Sequence, residues 1–111
     1  MQEITLKDLD TVHIGPEMCL LINSRYLLEE AFAKLDARDF TWEKGESLRS
    51  IHIMAMIEHY PVLFLPVQGK LLHSKKLVAN IGEAIFDLQE KGFTVLKVVE
   101  ELIQYTLYTR K

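Results

Sequence analysis

Apolar positions along this chain recur with two different periods, and the changes of period divide it into elements. In SRYLLEEAFAKLD, residues 24–36, Leu27, Leu28, Ala31, Phe32 and Leu35 fall within one arc of about 140° on a helical wheel, with Glu29, Glu30 and Lys34 outside it. That pattern predicts an amphipathic helix, with Ser24 as its N-cap. The preceding run MCLLI scatters its apolar residues all round the same wheel. It therefore reads as a short buried strand over 18–22, ending at Asn23 and Ser24.

The middle of the chain is read by alternation. As a strand, residues 51–57 place Ile51, Ile53, Ala55 and Ile57 on one face and His52, Met54 and Met56 on the other. Met and Ala are good helix formers and Tyr60 before Pro61 suits a helix end, but the alternation favours strand. The run VLFLPV, 62–67, predicts another strand, turned at Gln68-Gly69 into KLLH. Pro66 donates no ladder hydrogen bond, which puts that strand at a sheet edge or bends it there.

Towards the end, Ser74 caps a helix expected over 75–91 and stopped by Gly92. Thr94 then caps a last helix over 95–109, with Phe93 and Val98 placed as a hydrophobic staple. Its apolar residues, including Leu96, Val99, Ile103, Tyr105 and Leu107, fill roughly 200° of the wheel, so it needs cover from two sides. These elements define an α+β domain spanning 1–111: a small mixed sheet from 18–22, 51–57 and 62–67, joined by 3–14 and packed with three helices. The last two helices form a helix-turn-helix-like corner.

Composition supports a single folded domain, with 49% hydrophobic and 26% charged residues in 111. Charge is uneven. Residues 1–36 carry three basic and seven acidic side chains, whereas 70–111 carry seven basic and five acidic. A DNA-reading corner would expose basic residues in the first turns of its second helix, yet VLKVVEE offers Lys97 alone and sets Glu100 and Glu101 beside it. Cys19 is the one cysteine, which excludes an intramolecular disulfide and fits a reducing compartment. The opening MQEITLKDLD has acids where a secretory signal needs a basic head, so a cytoplasmic location is expected.

Candidate chemistry is sparse. His52 and His59 lie seven apart, unlike the four-apart pair of a zinc-binding helix, and no serine or cysteine sits in a nucleophile motif. The sequence points to no catalytic residue, no metal ligand, no cofactor and no membrane contact, and hence to no enzyme. The expected function is that of a small regulatory, adaptor or inhibitor protein acting through protein–protein binding, as a homodimer. The partner-binding residues are then Met54, Met56 and Tyr60 on one element and Leu96, Val99, Ile103, Tyr105 and Tyr108 on the last helix. The alternative is a helix-turn-helix DNA-binding regulator.

Overall fold

The computed structural model describes residues 1–101. A five-stranded mixed sheet runs through its centre in the order β1-β5-β2-β3-β4. The strands are β1 (Gln2–Thr5), β2 (Met18–Ile22), β3 (Val62–Leu65), β4 (Lys70–Leu72) and β5 (Thr94–Val99), with a 3-10 turn, Lys7–Asp10, after β1. β5 lies between β1 and β2 and is parallel to both, whereas β2–β3 and β3–β4 are antiparallel. The helices are α1 (Arg25–Asp36), α2 (Ile51–Ala55), α3 (Lys75–Ala79) and α4 (Ile81–Glu90). The α+β class and the mixed sheet expected from the sequence are present.

The two faces of the sheet are covered unequally. Leu20 and Ile22 of β2, Val62 and Phe64 of β3, and Leu96 and Val98 of β5 point to one face. There they meet Leu28, Ala31, Phe32 and Leu35 of α1, together with Trp42 and Leu48 from the segment after it. The rings of Phe32, Trp42 and Phe64 meet edge to face, with centroids 4.9–5.7 Å apart, adding directional contact to the area they bury. The other face presents Cys19, Leu21, Leu63, Leu65 and Val95 to Leu77, Ile81, Ala84, Ile85 and Leu88. These α3–α4 residues are only partly buried.

Local chemistry fixes the ends of the elements. Ser24 Oγ accepts from the Leu27 amide at 3.2 Å and starts α1 where β2 ends, and Ser74 Oγ accepts from the Leu77 amide at 3.0 Å. Helix α4 closes through two hydrogen bonds, Phe93 N–H to the Leu88 carbonyl and Gly92 N–H to the Gln89 carbonyl, both at 3.0 Å. This left-handed stop needs a positive φ, which Gly92 supplies at 92°. Arg38 donates to the carbonyls of Leu9 and Val12, both at 2.8 Å, and so ties the β1–β2 connection to the end of α1.

Two expectations are corrected. Residues 51–55 form the short helix α2, not a strand: Met54 and Ile57, three apart and on opposite faces of the alternation pattern, are both buried, while Ile51, on the same face as Ile57 in that pattern, is 81% exposed. The helix expected over 95–109 is a strand at Thr94–Val99, paired on both sides; its part from residue 102 on lies outside the described residues. Val95, Val98 and Val99 are β-branched, and an apolar run covering both faces marks a central strand as readily as a wide helix. The second helix of the expected corner is therefore missing where its reading turns would begin. Of the two roles expected of Pro66, the bend is present: β3 is flanked by β2 and β4, the chain leaves it before Pro66, and β4 takes the edge. The expected 75–91 helix is present but broken at Asn80, whose carbonyl starts α4 by accepting from Ala84 N–H at 3.0 Å.

Candidate functional site

A concavity lies between α1 and α2. It is a groove of about 410 Å³ lined by Phe32, Ala33, Leu48, Ile51, Met54 and Ala55, with Arg25, Glu29, Glu30 and Arg49 also contributing. Sequence places these residues by simple rules. On α1 the buried arc takes Leu28, Ala31, Phe32 and Leu35 into the core, which leaves Glu29, Glu30 and Ala33 on the adjacent flank. On α2, Met54 turns inward and leaves Ile51 and Ala55 to form the opposite wall.

Charges around the groove are partly spoken for. Arg25 Nε donates to Glu29 Oε2 at 3.1 Å, an exposed pair one helical turn apart. Glu30 and Arg49 have no ion pair among the described residues. Beyond the start of α1, the Tyr26 hydroxyl donates to Glu100 Oε2 at 3.0 Å, connecting α1 to the end of β5. That hydrogen bond is the main cause holding the Tyr26 hydroxyl above its usual pKa, and the nearby negative charge of Glu100 adds to it. The Tyr60 hydroxyl oxygen is buried and has no hydrogen-bond partner among the described residues. Burial raises its pKa first, with Arg25 opposing and Glu29 reinforcing, so Tyr60 lies close to the charged end of the groove.

The residues expected to bind a partner fall in different settings. Met54 lines the groove but is 7% exposed, and Met56, just after α2, is 71% exposed. Tyr60 is half-buried, as is Val99 near the end of β5. Leu96 points into the α1 face of the core and leaves little of its side chain at the surface. Ile103, Tyr105 and Tyr108 lie outside the described residues. The sequence reading missed Ile51, Leu48, Arg49 and the α1 flank as one surface. A helical reading of 51–55 would have joined them, because Ile51 and Ala55, four apart, then share a face.

Cys19 is buried in the second core, and burial pushes its thiol up to about 12, so it is held as an unreactive thiol. Among the described residues, no helix is long and apolar enough to cross a membrane, and no three His, Cys, Asp or Glu side chains gather as a metal site. No family model, no curated protein and no solved structure matches this chain.

Proposed function

We propose that this protein is a small non-catalytic binding module of the regulatory, adaptor or inhibitor kind, which acts by holding another polypeptide in the α1–α2 groove. The observation that carries the reading is Ile51, an aliphatic side chain 81% exposed on the lip of a groove whose floor is apolar. A large apolar residue left in water beside such a floor has the form of an interface anchor. Met54 in the wall and Met56 just beyond add side chains that adapt to a partner's shape, and the arginines on the rim suit the polar border of an interface. The buried, protonated Cys19 fits a cytoplasmic setting.

Affinity capture from native lysate with three baits tests the reading: the natural chain, Ile51→Glu and Phe86→Glu. Phe86 is 59% exposed on α4, across the sheet from the groove, and serves as the control. Polypeptides held by the natural chain and by Phe86→Glu should be lost from Ile51→Glu. Equal capture by all three would contradict a role for the groove.

A further inference from the structure

We propose that the polypeptide seated in the α1–α2 groove is a second copy of this chain, the two related by a two-fold axis through the groove. This deepens the binding reading and rests on it. In a two-fold contact the same patch of both copies meets, residue i touching j and j touching i, so a self-binding surface must carry both a protrusion and the recess that accepts it. The groove meets that condition. Ile51 stands 81% exposed on its lip, and Leu48, Ala33, Ala55 and Met54 form the recess a second Ile51 would enter.

Charge makes the same surface self-complementary. On the α1 wall, Arg25 is held by Glu29 at 3.1 Å, which leaves Glu30 as the acid with no ion pair among the described residues. The opposite wall begins with Arg49, a base with no ion pair among the described residues. A two-fold axis running along the groove sets the α1 wall of each copy against the α2 wall of the other. Glu30 of each copy then faces Arg49 of the second copy, and the contact occurs twice. A different partner would have to supply an acid and a base in matching positions, whereas a second copy has them already.

The proposal is tested by sedimentation of the full chain from low to high micromolar concentration, using the natural protein, Glu30→Arg, Arg49→Glu and an equimolar mixture of the two variants. Both positions are exposed, so each variant should keep its fold, and circular dichroism verifies this. The natural protein should dimerise. Each variant alone sets like charges together at both contacts and should associate about tenfold more weakly or worse. In the mixture every acid again faces a base across the axis, so association between the two variants should return close to the natural level. An ion pair within one chain could not produce that recovery. A natural protein that stays monomeric throughout, or a mixture no better than its components, overturns the proposal. Loss of a captured partner from Ile51→Glu alongside a monomeric natural protein would reject the second copy and leave the binding reading standing. If Ile51→Glu changes neither capture nor association, both are rejected.

Discussion

Gly69 shows how one residue can fix a large part of the architecture. Its φ is +64°, and a Cβ placed there would lie 2.5 Å from the Glu43 amide nitrogen and 2.6 Å from the Thr41 carbonyl oxygen. Backbone packs against backbone at this point, and the Gly69 carbonyl accepts from Glu43 N–H at 3.1 Å. The β3–β4 turn is thereby fastened to the segment that carries Trp42 into the core. Gly69→Ala should lower unfolding stability in urea by about 2 kcal/mol or more, since it combines a disfavoured backbone angle with a clash that no side chain can relieve. Gly82, on the exposed side of α4 with open space around it, should behave oppositely, Gly82→Ala gaining about 0.5–1 kcal/mol through helix propensity. The turn at Gln68-Gly69 was legible from the sequence, but the close approach to Glu43 was not, because nothing in the order of residues reveals what lies across a turn. Cys19 gives a second prediction at this scale. Its thiol ionises near 9.0 when free in the unfolded chain and is pushed up to about 12 by burial. Between those values the unfolded chain has released a proton that the fold retains. The stability contributed by the protonated thiol is therefore complete below about pH 9 and is lost as pH rises towards about 12. Stability measured from pH 8 upwards should fall less steeply in Cys19→Ala than in the natural protein, whatever the offset caused by the lost packing; equal slopes would contradict the assignment. Tyr60, also raised by burial, keeps a residual slope in both.

At the scale of elements, what could be read in advance was decided by how many faces an element buries. Helix α1 buries one face, so its period and its Ser24 cap were unambiguous, and β2 was recognisable because five apolar residues could not form a one-sided helix. Strand β5 is buried on its Leu96 and Val98 side and covered on its Val95 side. Its apolar residues consequently surround a helical wheel, and only their β-branching pointed the other way. In α2 the opposite problem arises, because five residues span little more than one turn and Ile-His-Ile-Met-Ala alternates by accident as well as it winds. The same unevenness of burial predicts unequal local stability. Helix α1 contributes four buried residues to the core, whereas α3 and α4 contribute none. Native-state hydrogen exchange should accordingly give α4 amides opening free energies well below those of α1 and of β2, which is hydrogen-bonded to strands on both sides. Uniform protection across α1 and α4 would show that the thin layer is held more firmly than its partial burial implies.

At the scale of the whole molecule, the sheet separates a well-filled side from a thinly covered one, and the groove belongs to the filled side. Its floor is anchored by Phe32 and Leu48, both within the main core, while Ile51 on its lip remains in water. A preformed recess beside an exposed apolar side chain lowers the ordering cost of binding, which suits the proposed binding role. The expectation of self-association came from the width of an apolar arc near the end of the chain, and the described part of that arc is instead satisfied inside the sheet by β5. The groove supplies a separate physical basis for it, in a surface that alternation had hidden by treating 51–57 as extended. The most direct measurement is methyl NMR of protein labelled at isoleucine and methionine, recorded from dilute to high micromolar concentration. Ile51 and Met54 line the groove, while Ile81 and Ile85 face the opposite side of the sheet and serve as internal references. A dimer formed through the groove should give concentration-dependent shifts at Ile51 and Met54 with Ile81 and Ile85 unchanged; stationary Ile51 signals, or movement confined to Ile81 and Ile85, would contradict it.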